Sequence, residues 1–397
     1  MPNAKYSVLL NTKINQFNKA IKIDSDKSIT IRSFLIGSIS QGISTITNVL
    51  ESSDVFSTIN SLRKLNCKIK KIGKKKYVVY GKGLGSFHAK KNITLNLGNS
   101  GTGLRLLSSL ISTNPNLQVK ITGDSSLKKR NMSKLISLLS EFGAEFIPQN
   151  RFYLPLKIKS SDIPVGIKFK AGTSSQIKSA CILAGLNSFG ETIISEKIKS
   201  RDHTENILLK SPNVLKIKNI NKNNRVIKVF GKGYLNSFNT TIPGDPSSAA
   251  FFVGLALLNS NSNLKISNVG LNQTRTGFLG IMKKFGAKIK FKNIRKKNNE
   301  IFGDIFVKNS NLKPLRVPKK LYAKCVDEFP IIFVICSMIK GISYLEVDSE
   351  NLKNKESDRI IEMSKILKQI GIKCIIKNDK IKIFGNPDVK KQNKKII

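Results

Sequence analysis

Tryptophan is absent from the 397 residues, and histidine occurs only at His88 and His203. Neither histidine stands in an HExxH or other ligand spacing, so a metal centre is not expected. The five cysteines, Cys67, Cys181, Cys325, Cys336 and Cys374, are odd in number, far apart and free of any CxxC. That pattern excludes a disulfide framework or a zinc ribbon and suits reduced thiols in a cytoplasmic protein. No GxxxxGK[ST] and no GxGxxG occurs, which removes the two commonest nucleotide loops. The longest apolar stretches, near Phe251 and Ile331, run about ten residues, well short of the ~20 that span a bilayer. The first thirty residues hold no unbroken apolar core, so no secretory signal and no membrane association are expected. Carboxylates are also scarce: 25 Asp and Glu stand against 69 Lys and Arg, a formal charge of +44. Basic faces bind nucleic acid by counterion release. Here Lys, Asn and Ile are overused everywhere, and only Lys74-Lys75-Lys76 and the stretch Lys390–Lys395 gather charge. No aromatic-rich nucleic-acid motif accompanies them. The expectation is no nucleic-acid partner, with the charge speeding capture of small anions.

What is present is a repeat. Five times a polar turn bearing Ser, Gly or acid runs straight into an apolar helix: Lys27-Ser28, Ser100-Gly101, Ser174-Ser175, Ser247-Ser248 and Asp327-Glu328. Taking Ser28, Gly101, Ser174, Ser247 and Asp327 as markers, the steps are 73, 73, 73 and 80 residues. Such regularity means one supersecondary unit copied along the chain. Behind each copy a second helix closes into a strand, at Leu62–Ile69, Leu138–Phe146, Ile281–Ile289 and Leu367–Ile375. Gly143, Gly286 and Gly371 fit the left-handed residue that ends a helix, with Asn66 as the usual substitute. β-rich runs such as Lys76–Gly81 and Lys380–Gly385 follow, and a worn copy lies at Asn206–Gly231. Strand, helix, strand, helix and a closing pair of strands make an α/β protein with mixed sheets. A sixth first helix falls due near residue 400, and the sequence ends at Ile397.

Helix N-termini with hydroxyls, bare glycine N–H groups and cations nearby favour anions. Lys27, Ser28 and, one turn on, Arg32 form such a set. Gly98–Arg105 (GNSGTGLR) is a Gly-rich turn into a helix, and Gly123–Arg130 adds a basic group close behind. Ser174-Ser175-Gln176 with Lys178 supplies hydroxyls at a third helix start, and Ser200-Arg201-Asp202-His203 another. Lys355-Glu356-Ser357-Asp358-Arg359 packs two cations and two acids into the fifth unit's second helix. Each alone reads as an ordinary capped or solvated helix start.

In order they are DKS-x3-R, GNSGT-x2-R, GDSSLxxR, SSQ, SRDH, PGDPSSAA, TRTG, DEFP and KESDR. That series resembles the enolpyruvyl transferases and, among them, the EPSP synthase family of the bacterial type. The match holds register from about Ile21 to Gly385. The resemblance implies an inside-out α/β barrel fold of two domains, each three βαβαββ copies, with the sixth repeat incomplete in this sequence. The lower domain would comprise residues 1–20 with 240–397, and the upper domain residues 21–239. It also implies transfer of the carboxyvinyl group of phosphoenolpyruvate to the 5-hydroxyl of shikimate 3-phosphate, with release of phosphate, by a monomer needing no cofactor or metal. Lys27 then matches the lysine between the substrates. Ser28, Arg32, Ser174, Ser175, Gln176, Ser200, Arg201, Asp327, Asn351 and Lys355 match shikimate 3-phosphate contacts. Asn99, Gly101, Arg130, Gln176 and Arg359, again with Lys27, match the phosphoenolpyruvate site. Asp327 matches the carboxylate that takes the 5-hydroxyl proton, and Glu356 the acid that protonates the methylene carbon. Two carboxylates with separate duties suit addition and elimination through a tetrahedral intermediate.

Three departures from the family pattern stand out. Asp24-Ser25 replaces Pro-Gly, which is expected to loosen the turn before Lys27. Leu106 stands where a proline is frequent. In the family a GDHR-containing helix and a later lysine, both gripping phosphoenolpyruvate, follow at this point, and this sequence ends just before them, at Val389–Ile397. The sibling branch acting on UDP-N-acetylglucosamine fits worse: it has Lys-Asn at Lys27-Ser28 and a loop cysteine as acid, and neither Cys67 nor Cys181 sits in such a loop. A degenerate homologue that holds shikimate 3-phosphate without turnover is the remaining alternative.

Overall fold

A computed structural model describes residues 14–90, 92–221, 224–347 and 359–388. Its helices, in chain order, are α1 (Lys27–Ile39), α2 (Ser53–Lys64), α3 (Gly101–Ser112), α4 (Ser125–Lys128), α5 (Ser133–Glu141) and α6 (Ser175–Leu186), followed by α7 (His203–Leu208), α8 (Pro246–Leu258), α9 (Gly277–Lys284), α10 (Phe329–Ser337) and α11 (Arg359–Gln369). The repeat markers fall at the starts of α1, α3, α6, α8 and α10.

Four of those five helices, all but α10, start at a side-chain cap. Asp26 accepts from Ile29 N, Ser100 from Gly103 N, Ser174 from Ile177 N and Asp245 from Ser247 N. Pro246 sits in the first turn of α8 and Pro330 in that of α10, where a missing N–H costs nothing. Apart from their first turns, α1, α3 and α6 are buried on nearly every side. Helices apolar all round belong inside a core, whereas α2, α5 and α9 carry an apolar stripe and lie nearer the surface.

Among the described residues, five four-stranded sheets surround these helices, all with one pairing scheme. In the sheet around α3, Thr94–Asn96 runs parallel to Gln118–Thr122, which pairs antiparallel with Leu156–Lys159, itself antiparallel to Glu145–Ile147. The parallel pair brackets the inner helix, as a crossover connection requires. The outward sheet faces carry the lysines, as in Lys68–Gly73 and Lys288–Lys297. The excess positive charge is therefore largely a solvated coat.

Two apolar cores result. One runs from Ile29 to Ile242 and includes α1, α3 and α6; the other runs from Ala249 to Ile383 and includes α8 and α10. The chain crosses between them twice, and at each crossing the leading strand is exchanged. Asn18–Lys22, just ahead of α1, pairs with Asn263–Gly270 of the second core. Asn239–Thr241, just ahead of α8, pairs with Gln41–Thr47 of the first. The crossings also pair with each other: Asp26 N donates to Pro243 O and Asp245 N to Asp24 O, both at 2.9 Å. Ser25 bridges Gly244. The expected loosening before Lys27 is therefore not found, because the second crossing holds the turn. Leu106 is fully buried in the first core.

Asn66, Gly143, Gly286 and Gly371 all have positive φ where their helices end, as the pattern required. A further glycine recurs at the end of the last strand. A Cβ on Gly81, Gly231 or Gly385 would lie 2.1, 1.7 or 2.0 Å from a carbonyl oxygen, that of Ser40, Ser188 or Ile339. The strand thus closes directly onto the backbone just past the inner helix. Gly231→Ala is expected to destabilise the fold by about 1–3 kcal/mol through overpacking. Thermal denaturation measures it, and an unchanged midpoint would show that the backbone yields.

Candidate active site

Between the two cores lies a cleft of about 840 Å³. The first core contributes Arg105, Arg130, Ser174, Ser175, Gln176, Ser200 and Arg201 to its wall, and the second contributes Tyr322, Ala323 and Val326. Inner helix α6 starts at this wall with Ser174, Ser175 and Gln176, and α3 reaches it one turn in, through Arg105. Positive dipole ends and guanidinium groups together make a strong anion site.

Bonds bring further expected residues to the wall. Arg130 donates to Asn99 Oδ1. Arg105 Nη1 donates to Gly101 O at 3.1 Å and to Gln176 Oε1 at 2.9 Å, and Gln176 Nε2 donates to Thr102 Oγ1 at 3.0 Å. Gln176 is thereby the tie between the starts of α3 and α6. Gly101 is where the two arginines meet: a Cβ there would lie 2.7 Å from Arg130 Nη1 and 2.9 Å from Arg105 Nη1. Only glycine leaves room for both.

Asp327, just ahead of α10, sits across the cleft between two cations. Arg201 Nη2 donates to Oδ2 at 2.5 Å and Arg359 Nη1 to Oδ1 at 3.2 Å. Arg201 belongs to the first core and Asp327 to the second, so this pair bridges them. Lys27 opens α1 with its ammonium 2.8 Å from Asp54 Oδ2, and Ser28 is half-buried beside it. Neither lines the cleft cavity. Arg32 is buried one turn further in. Its Nε donates to Thr204 Oγ1 at 2.8 Å, Nη1 to Ser28 O at 3.1 Å and Nη2 to Ser179 Oγ at 3.2 Å. All three partners are neutral, and burial first, then nearby cations, push the guanidinium down to about 10 against the pull of Asp26 and Glu205. Asn351, Lys355 and Glu356 lie outside the described residues.

Two side chains have buried partners that the pattern does not show. Lys178 is fully buried and does not line the cleft; its ammonium lies 2.9 Å from both Glu196 and Glu205. Arg225 bonds the same two carboxylates, completing a buried quartet. Burial alone would raise Glu196, but Lys178 and Arg225 outweigh it and hold the carboxyl below its usual range. Ser200 directs its hydroxyl to Glu196 Oε1 at 2.7 Å, and its N–H bonds the same oxygen at 2.8 Å. Its hydroxyl proton is thus committed to Glu196, and the residue anchors the Arg201 loop to the quartet.

Arg105, at the end of GNSGT-x2-R, joins the site because the helix places it one turn behind Gly101, on the same face. Glu196 and Glu205 left no local signal, since their partners are distant in sequence. Burial raises all five thiols, Cys67 and Cys336 to about 12, so none is a ready nucleophile. Among the described residues no cluster suits a metal, and no helix is long and apolar enough to cross a membrane.

The profile of one family, EPSP synthase (3-phosphoshikimate 1-carboxyvinyltransferase), matches residues 11–394. The chain belongs to the EPSP synthase family. It is 37% identical to the 3-phosphoshikimate 1-carboxyvinyltransferase of Petrotoga mobilis over 388 residues, covering 96% of this chain and 87% of that protein. Against the protein of the same name from Thermodesulfovibrio yellowstonii it is 40% identical over 365 residues, covering 91% and 83%. The solved EPSP synthase of Acinetobacter baumannii superposes with a TM-score of 0.80 at 33% identity, covering 93% of this chain and 82% of that one. The fold is accordingly the two-domain, inside-out α/β arrangement of the EPSP synthases, with inner helices enclosed by sheets.

Proposed function

We propose that this chain transfers the carboxyvinyl group of phosphoenolpyruvate to the 5-hydroxyl of shikimate 3-phosphate and releases phosphate. The observation that carries this reading is the meeting of Arg105, Arg130 and Arg201 with the N-terminus of α6 at one interdomain cleft, the Asp327 carboxylate bonded to Arg201, in a member of this family. Both substrates are polyanions, and the site is built for polyanions.

In this reading the 5-hydroxyl oxygen attacks C2 of phosphoenolpyruvate while Asp327 takes its proton. Glu356 delivers a proton to C3, giving a tetrahedral intermediate that carries the phosphate and the new ether bond. Loss of a C3 proton and of phosphate then restores the double bond as an enol ether. Lys27 supplies positive charge between the substrates. Ser28, Arg32, Ser174, Ser175, Gln176, Ser200, Arg201, Asn351 and Lys355 hold shikimate 3-phosphate. Asn99, Gly101, Arg130, Gln176 and Arg359 hold phosphoenolpyruvate, and Arg105 joins them. The same reading takes residues 1–20 with 240–397 and residues 21–239 as the closing domains, and the chain as a cytoplasmic monomer without nucleic-acid partners.

Phosphate release, measured with both substrates and with each omitted, tests the proposal. Release that requires both supports it; retained shikimate 3-phosphate binding without release overturns it. Gly101→Ala forces the two guanidinium groups apart, so KM for phosphoenolpyruvate is expected to rise about tenfold, a loss of ~1.4 kcal/mol. Steady-state kinetics at saturating shikimate 3-phosphate would show it, and an unchanged KM would detach the arginine pair from that substrate.

A further inference from the structure

Beside the cleft, but not lining it, one guanidinium ties the two cores together. Arg275 follows the strand Asn263–Gly270 of the second core and is 3% exposed. Its Nη1 donates to Asp26 Oδ2 at 2.9 Å; its Nη2 donates to Asp245 Oδ1 and to Ser247 Oγ, each at 2.9 Å. His203 Nε2 lies 3.5 Å from Nη1, with its Nδ1 2.7 Å from Glu300.

Each partner is itself the start of an inner helix. Asp26 spends its other oxygen capping α1 through Ile29 N at 2.8 Å, one residue before Lys27. Asp245 caps α8. Ser247 donates to Glu328, which opens α10 next to Asp327. The forked cation therefore reaches three helix starts, and two of them carry Lys27 and Asp327. The charges fit a tight clamp. Burial opposes the positive charge of Arg275, but Asp26 and Asp245 outweigh it and raise its pKa. Burial likewise opposes ionised Asp26, and Arg275 overrides it and holds that carboxyl low. Burial and neighbouring Asp26 push Asp245 up. A guanidinium can hold two such carboxylates at once because its donors form a rigid fork; an ammonium cannot match that geometry.

We propose that Arg275 is a positioning residue for the transfer: it sets Lys27 of one core against Asp327 of the other by locking the caps of α1 and α8 and, through Ser247, the start of α10. This rests on the function proposed above. Arg275 reaches the reacting groups only through these helix starts. Because α1 is buried within the first core, losing the clamp leaves Ser28, Arg32, Ser174 and Ser175 in place relative to one another. What is lost is their alignment with the opposite core, and a misplacement near 1 Å can cost about a hundredfold in rate.

The test uses the full chain with Arg275→Lys and Asp26→Asn. The asparagine retains the cap oxygen for α1 and removes the charge that Arg275 grips. Phosphate release gives kcat and KM, calorimetric titration gives the shikimate 3-phosphate Kd, and circular dichroism checks folding. The expected result is a kcat lower by about a hundredfold in Arg275→Lys and by about tenfold in Asp26→Asn, with Kd for shikimate 3-phosphate within about threefold of the parent chain. Active parent protein with an Asp26→Asn kcat within twofold overturns the inference. So does a fall in shikimate 3-phosphate affinity in step with kcat, the mark of general loosening. If Arg275→Lys does not fold, Asp26→Asn decides alone. A parent chain that releases no phosphate from the two substrates overturns the functional reading, and this inference with it.

Discussion

Asp327→Asn is expected to lower kcat by about a thousandfold while the chain still folds and binds shikimate 3-phosphate. General acid–base groups contribute roughly 10²–10⁴-fold when positioned at the reacting proton. Asp327 meets the geometric requirement: it lies on the side of the cleft opposite the anion-binding helix starts, held by Arg201 and Arg359 at 2.5 and 3.2 Å. Asparagine retains the shape and one acceptor for these arginines but cannot take a proton. The measurement is single-turnover phosphate release at saturating substrates, with Kd for shikimate 3-phosphate measured alongside. A kcat within tenfold of the parent would remove Asp327 from proton transfer and direct attention to Glu328, buried beside it. Burial first, and then Asp327, push the Glu328 carboxyl above its usual range.

The second large effect concerns stability. Lys178→Met leaves Glu196 and Glu205 buried with only Arg225 between them, and is expected to cost about 3–5 kcal/mol. Both carboxylates and the lysine are wholly inaccessible to water, so solvent cannot compensate. The double variant Lys178→Met with Glu205→Gln removes one charge of each sign and is expected to recover much of the loss. Denaturant titration of the three proteins decides it. Equal stability of the single variant and the parent would mean that water or a shifted proton replaces the lysine. Acid adds a second check. The folded-state pKa of Glu196 is lowered, so its contribution is complete above the ordinary carboxylate range and fades as pH falls through the folded value. Glu196→Gln should therefore flatten the decline of the melting temperature on the acid side.

Spacing alone made the architecture legible, because the physics behind it is local. A cap, an all-apolar helix, a left-handed terminator and a closing strand are each written within about ten residues, so Ser28, Gly101, Ser174, Ser247 and Asp327 mark five helix starts without reference to anything distant. The anion-seeking chemistry was legible for the same reason, since a serine or glycine at a helix start exposes its donors whatever lies around it. Side chains whose meaning depends on a distant partner were not. Lys178 stands two residues beyond Gln176, at a helix start that favours anions; only burial against Glu196, Glu205 and Arg225 shows which charges it meets. Ser200 reads as a lone hydroxyl until the fold brings Glu196 to accept its hydrogen bond. Asp24-Ser25 reads as a loose turn until Pro243–Asp245 pairs with it.

The sequence by itself thus determined the repeated unit, its inner helices and the class of ligand, because these follow from hydrogen-bonding and burial needs satisfied within one unit. The tertiary structure alone decided which cations face the cleft and which sit in the core, since a lysine's role depends on the carboxylates that burial brings to it. It alone decided the exchange of Asn18–Lys22 and Asn239–Thr241 between sheets, because a strand's partner is set by where the chain crosses, not by its own residues. And it alone joined Asp26, Asp245 and Arg275, which lie far apart along the chain, because a buried carboxylate must find its counter-charge wherever the fold places one.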